Sequence, residues 1–176
     1  SCTPAELKAL WRFTSTYLRD EKELHNLLWV YNTNGFASEA EFFERYPGDD
    51  MVDVLSFDLY HFEGQNRQAF IDTVRYELDL LVKMAAKKNK LAAFAETGLE
   101  AVPDSEWWTK TLQPALAGYP ISYVLVWRNA GFMPSMNKMH YYGPYKGHAS
   151  EQNFLKFTRS GNILLEKGLK ERNIYK

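Results

Sequence analysis

Four short apolar runs, each closed by polar or aromatic residues, limit this chain more than any other feature. They are Leu27-Leu28-Trp29-Val30-Tyr31, then Met51-Val52-Asp53-Val54-Leu55-Ser56-Phe57-Asp58, then Leu91-Ala92-Ala93-Phe94-Ala95-Glu96, and Ser122-Tyr123-Val124-Leu125-Val126-Trp127-Arg128. None is long enough for a buried helix, and Asn32, Asn34 and Gly35 close the first. Between them lie segments of helical character. Residues 38–45 open on Ser38, a long helix runs from beyond Gly64 to about Asn89, and another runs from Asp104 or Ser105 to Ala117. In the long one Phe70, Val74, Leu78 and Leu81 share a face. A last amphipathic helix follows Ser150, its expected cap. Strands apolar along most of their length and separated by helices indicate a parallel sheet covered by helices.

An open doubly wound sheet and part of a (β/α)8 barrel both fit that order. No glycine-rich phosphate loop follows any run, which counts against the nucleotide-binding form of the first. The barrel is favoured, yet 176 residues fall short of the roughly 250 of a complete one. The chain also opens on Thr3-Pro4-Ala5-Glu6, with threonine as N-cap, proline at the first helical position and glutamate set for a capping box. Leu7, Leu10, Trp11, Thr14, Tyr17 and Leu18 give the following segment, to about Leu24, one apolar face. A helix start at the first residues predicts a cut inside a larger domain. Residues 1–176 are accordingly expected to be one partial domain, with no linker or low-complexity tract.

Composition removes several function classes. The net charge is −1, and Lys87, Lys88 and Lys90 form the only short basic stretch, so a nucleic-acid or anionic-membrane partner is not expected. No stretch of about 18 apolar residues is present to span a bilayer. The single Cys2 forms no intrachain disulfide framework, and His25, His61, His140 and His148 lack metal-ligand spacing, so no catalytic metal and no cofactor is expected, a calcium held for stability by loop carboxylates such as Asp49 and Asp50 being the open alternative. Aromatic residues reach 15%, and such rings serve either core packing or stacking on sugars and bases. Trp107-Trp108, near a helix start and away from the strand ends, reads as packing of helix on barrel. The aromatic stretch between Gly131 and Ala149 reads as an irregular loop.

In a parallel α/β barrel, chemistry sits at the C-terminal ends of the strands, where the following loops converge. The ends here are Asn32, Asp58 with Tyr60, Glu96, and Trp127 with Arg128. Helix capping alone would place Ser, Asp or Gly at such points, not Tyr or Trp-Arg. Two carboxylates, aromatic rings and a guanidinium around one opening suit hydrolysis of a sugar polymer. A retaining glycosidase uses one carboxylate to attack the anomeric carbon and a carboxylic acid, about 5 to 5.5 Å away, to protonate the leaving oxygen. Glu96 is the candidate nucleophile, with Tyr60 and Arg128 placed to hold it ionised. Asp58 fits a second catalytic group, a hydroxyl ligand or a helix cap, and substrate binding suits it best.

The stretches Tyr46-Pro47-Gly48-Asp49-Asp50 with Val52-Asp53, Asp58-Leu59-Tyr60, Ala95-Glu96-Thr97-Gly98, Trp127-Arg128-Asn129-Ala130 and His140-Tyr141-Tyr142 closely resemble glycoside hydrolase family 26, the β-mannanase family. Their order and spacing carry the resemblance across essentially the whole chain. It implies a TIM (β/α)8 barrel of which these residues are the C-terminal half, strands five to eight. It implies a retaining, endo-acting enzyme on β-1,4-mannan, secreted, periplasmic or at the cell surface. Glu96 would match the nucleophile on strand seven and Tyr60 the tyrosine that hydrogen-bonds it. Asp58 would match an acid near the sugar at the cleavage point, Trp127 the ring on which that sugar stacks, and Arg128 a contact to sugar hydroxyls.

The family's acid/base glutamate lies on strand four, which would precede Ser1, so this segment alone is expected to be inactive or nearly so. A non-catalytic carbohydrate-binding half-barrel, or a hydrolase of mixed-linkage β-glucan or xylan, are the alternatives. Half a barrel would also leave its first and last strands without a neighbour, so either the other half or a second copy is expected to cover those edges.

Overall fold

The computed structural model describes residues 2–161 and 163–172. Two compact units divide the chain: residues 1–60, 73–97 and 118–125 form the first, and residues 61–72, 98–117 and 126–176 the second. The runs form one four-stranded sheet, β1 (Val30–Asn34), β2 (Val54–Asp58), β3 (Leu91–Thr97) and β4 (Val124–Val126), in the order β1-β2-β3-β4. β1 pairs parallel with β2, and β2 with β3. Parallel neighbours need a long crossover between them, which explains the intervening helices.

In the first unit, α1 (Pro4–Thr16) begins with the capping box that the sequence predicts. The Thr3 amide donates to Glu6 Oε2 at 2.7 Å and the Glu6 amide to Thr3 Oγ1 at 3.3 Å. The helix differs from the expected span, because the chain passes at Tyr17–Glu21 into a π-helical turn. Leu7, Trp11, Thr14 and Leu18 are half-buried, spaced as one helix face, while Leu10 and Tyr17 turn out to solvent. The Trp11 indole N–H donates to the Met51 carbonyl at 3.1 Å, and Arg12 reaches both Asp50 and the Pro47 carbonyl. Short α2 (Glu39–Phe43) is capped by Ser38, whose hydroxyl accepts from the Glu41 amide.

The first strand lies about three residues later than its apolar run. Leu27 and Leu28 are exposed, whereas Asn32, Thr33 and Asn34, which read as the end of the run, pair with Ser56, Phe57 and Asp58. The cause is the anchor that precedes the ladder: the Trp29 amide donates to Asp53 Oδ2 at 2.8 Å and its carbonyl accepts from the Asp53 amide at 2.8 Å. That clamp sets the register, and the register outranks side-chain polarity. β4 is likewise shorter than its run. β2 is buried on both faces, and around it Tyr31, Phe36, Phe42, Phe57 and Phe94 interlock edge-to-face or stacked with centroids 4.6 to 5.8 Å apart.

α3 (Arg67–Lys88) buries Phe70, Val74, Leu78 and Leu81 completely, the face its periodicity predicts. Glu77 is also buried on this helix, at 4% exposure. It accepts from the Phe36 backbone amide, and its Oε2 has no partner among the described residues. Burial raises its carboxyl to about 7, opposed by the Phe36 hydrogen bond and helped by the Glu41 charge.

In the second unit, Asp104 Oδ1 accepts from the Glu106 amide, and the chain then winds through a π-helical turn (Trp108–Leu112) into α4 (Gln113–Leu116). Trp107 and Trp108 are fully buried, so this pair is core. The stretch read as an irregular loop contains an antiparallel hairpin, β5 (Gly131–Met133) and β6 (Lys138–His140). α5 (Glu151–Thr158) follows, but Ser150 does not cap it with its side chain. Its buried hydroxyl accepts from the Trp108 indole at 3.2 Å and lies 3.0 Å from His148 Nδ1. A short α6 (Glu166–Glu171) completes the described chain.

Glu77 makes a pH prediction. A carboxyl whose folded pKa is raised stabilises the fold fully below its unfolded value, near 4.5, and that contribution is lost as pH rises through about 7. Urea denaturation should therefore show up to about 3 kcal/mol of stability lost between pH 4.5 and pH 8 through this group. Glu77→Gln should flatten that part of the profile, and an unchanged slope in the variant would contradict the assignment.

Candidate active site

The first unit gathers four polar side chains on one face of its sheet. Register places Asn32 beside Ser56 and Asn34 beside Asp58, and residues two apart on a strand share a face. Ser56 is wholly buried, and its hydroxyl sits 2.8 Å from Asn32 Oδ1 and 3.1 Å from the Tyr31 carbonyl. Asn32 Nδ2 in turn donates to Asp58 Oδ2 at 2.7 Å.

Glu96 reaches this face through a break in the ladder. Phe57 pairs with Phe94, but the next residue, Asp58, pairs with Glu96, so Ala95 is surplus. In an unbroken ladder Ala95 would pair with Asp58, and Glu96, three residues beyond Ala93, would point to the opposite face from Ala93, which pairs with Ser56. The bulge restores the parity and sets the two carboxylates in neighbouring positions, a use to which such irregularities are often put. Tyr60 then donates its phenolic proton to Glu96 Oε2 at 2.7 Å. Main-chain bonding continues past the strand, with the Leu59 amide donating to the Glu96 carbonyl at 3.0 Å.

Asp58 is pushed above the ordinary aspartate range, first by burial and also by the negative charge of Glu96, and the Asn32 hydrogen bond opposes this. Its Oδ1 is buried and accepts nothing among the described residues. Such a site can present an anionic oxygen to a neutral hydroxyl. It cannot comfortably hold two free negative charges without donors.

Trp127 and Arg128 belong to the second unit. Trp127 is half-buried and Arg128 exposed, with the guanidinium carbon 5.5 Å from the centroid of the Trp127 ring. Asn129 fixes this segment: its Oδ1 accepts from the Tyr142 and Gly143 amides at 3.0 and 2.8 Å, and its Nδ2 donates to the Gly143 carbonyl at 3.1 Å. Tyr142 lies so close to Gly98 that a methyl group there would fall 2.4 Å from the ring. Beside it His140, Glu100 and Lys138 form a bonded triplet, in which Lys138, with His140, holds the Glu100 carboxyl below its usual range.

His61 has a structural explanation. Its Nδ1 accepts from the Trp107 indole at 3.0 Å, so Nε2 carries the proton and donates to the Gln65 carbonyl at 3.1 Å, while the ring stacks on Phe70. The sequence includes Asn32 among the strand ends where chemistry sits but gives it no role of its own, and it leaves Ser56 unmarked. The period-two spacing of Asn32 with Asn34, and of Ser56 with Asp58, was the available signal.

Comparison with known proteins gives the family. The family model for glycosyl hydrolase family 26 matches residues 1–114, and the chain belongs to that family. Among curated proteins it is 27% identical to a mannan endo-1,4-beta-mannosidase of Bifidobacterium adolescentis, with 92% of this chain and 17% of that protein covered. It is 30% identical to the mannan endo-1,4-beta-mannosidase A and B of Caldalkalibacillus mannanilyticus, over 73% of this chain and 23% of that protein. Among solved structures, the GH26 β-mannanase of Bacteroides ovatus superposes with a TM-score of 0.84 at 43% identity, covering 93% of this chain and 46% of that one. The catalytic domain of the Bacillus sp. JAMB-750 endo-beta-1,4-mannanase gives 0.83 at 28%, covering 98% and 48%. The chain thus spans less than half the length of each of these.

The Asn129 clamp yields a prediction. Asn129→Ala removes three hydrogen bonds and should cost about 1–3 kcal/mol in denaturant unfolding. It should also loosen the segment that carries Trp127, read as faster acrylamide quenching of tryptophan emission.

Proposed function

We propose that this segment is the nucleophile-bearing half, strands five to eight, of a retaining endo-β-1,4-mannanase barrel. The observation that carries the reading is the pairing of Glu96 with Asp58 across the bulge, with the Tyr60 hydroxyl on Glu96 Oε2. With Oε2 engaged by Tyr60, Glu96 Oε1 is the oxygen that attacks the anomeric carbon. The bond from that carbon to the leaving oxygen breaks as a general acid on strand four, supplied by the other half of the barrel, delivers a proton. Water, activated by the same group acting as base, then releases the sugar and frees Glu96. Loss of the proton donor alone removes orders of magnitude in rate, so the segment by itself turns over little or no polymer.

Asp58 accepts from a hydroxyl of the sugar at the cleavage point. The resemblance to the family assigns Trp127 to stacking on that sugar and Arg128 to its hydroxyls. Mannan is favoured over mixed-linkage glucan and xylan because the relatives quoted above are called mannanases or mannosidases. Export from the cytoplasm belongs to this reading, since a polymeric substrate lies outside the cell. The sheet edges at β1 and β4 are covered by the other half of the barrel.

The test uses the complete barrel containing this segment. Glu96→Ala should reduce mannan hydrolysis at least about 10⁴-fold while circular dichroism stays unchanged, and Tyr60→Phe should lower kcat about 10–100-fold. Retained turnover in Glu96→Ala would remove that residue from the mechanism. Tight binding of manno-oligosaccharides with no hydrolysis by the complete barrel would favour a carbohydrate-binding role instead.

A further inference from the structure

We propose that Asn32 is a positioning residue for Asp58: its amide, oriented by the buried Ser56 hydroxyl, supplies the hydrogen bond that keeps Asp58 an anionic acceptor for a sugar hydroxyl beside Glu96. The inference rests on the mannanase reading above.

Three observations support it. Among the described residues, the hydrogen bond from Asn32 Nδ2 is the one that reaches the Asp58 carboxylate, at 2.7 Å, and Asp58 Oδ1 is buried without a partner. The groups that face Asp58 cannot replace that donor's effect. Glu96 on β3 adds a negative charge, Tyr123 ahead of β4 interacts with Asp58 electrostatically, and Tyr60 gives its proton to Glu96. Finally, the Asn32 amide has a defined orientation. Its Oδ1 lies 2.8 Å from the Ser56 hydroxyl, which fixes the oxygen on that side and turns the NH₂ toward Asp58.

A carboxylate next to another carboxylate, half-buried and holding one donor, takes up a proton at higher pH when the donor is removed. Protonated Asp58 would then offer a hydroxyl where the sugar needs an acceptor. Asn32 is therefore predicted to set the lower pH limit for productive sugar binding.

The experiment measures kcat and KM against pH from 4 to 8 on a manno-oligosaccharide, using the complete barrel with wild-type sequence, Asn32→Ala and Ser56→Ala. In Asn32→Ala, the acid limb of kcat/KM should move up by about one pH unit, a roughly tenfold loss below the limb. The loss should appear mainly in KM, with kcat at the optimum within about threefold. Ser56→Ala should shift the limb the same way by less, and serves if Asn32→Ala fails to fold. A fall in kcat at every pH with the limb unmoved, in whichever variant folds, would overturn the proposal and leave Asn32 a merely structural residue. Failure of the mannanase reading is separately visible, as a wild-type barrel without hydrolysis or a Glu96→Ala variant that retains it.

Discussion

A parallel strand pair cannot be closed by a tight turn, and that constraint organises the first unit. β1, β2 and β3 run the same way, so each return journey needs a segment able to travel back along the sheet. α3 makes the longest of these returns, and the apolar face it lays down, Val74, Leu78 and Leu81 in this unit, is wholly buried. The same constraint leaves all the strand ends pointing one way. Asn32, Asp58, Tyr60 and Glu96 meet because they lie in or just past the C-terminal parts of three co-directional strands, not because they are near in sequence.

What parallel pairing does not decide is which face each terminal side chain takes. That is settled locally, by the Trp29–Asp53 clamp for β1 and by the surplus Ala95 for β3. Both are small departures from regularity, and both act on polar residues. A ladder tolerates Asn32 and Ser56 because each satisfies the other, and Ser56 can be fully buried only with acceptors at 2.8 and 3.1 Å.

Much of this was legible in the residues. The four runs, the parallel sheet, the capping box at Thr3 and Glu6, the cap at Ser38 and the buried stripe of α3 follow from periodicity and from side-chain donors with a fixed reach. The pair Trp107-Trp108 was legible as core. The start of β1 was not, because hydrophobicity favoured Leu27 and Leu28, whereas backbone bonding to Asp53 fixed the register further on. The hairpin β5–β6 was hidden because its strands are three residues each and carry no sustained alternation. Ser150 has the right identity and position for a cap, yet its hydroxyl is drawn to an indole 42 residues away in sequence. Glu96 could be picked out as the acid at a strand end. Its facing could not, since a bulge is a property of two strands read together.

The irregularity at Ala95 has an evolutionary consequence. Because Ala95 is left out of the ladder, the number of residues in the strand does not decide whether the carboxylate looks inward or outward, and strand length and strand aim are uncoupled at this point. A single-codon deletion of Ala95 would close the bulge and leave Glu96 two residues beyond Ala93, still opposite Asp58, whereas a residue lost or gained elsewhere in the strand would turn the acid to the other face. Drift in the length of this strand is thus tolerated at the one residue the bulge absorbs, and other insertions or deletions must be taken up in the connections on either side.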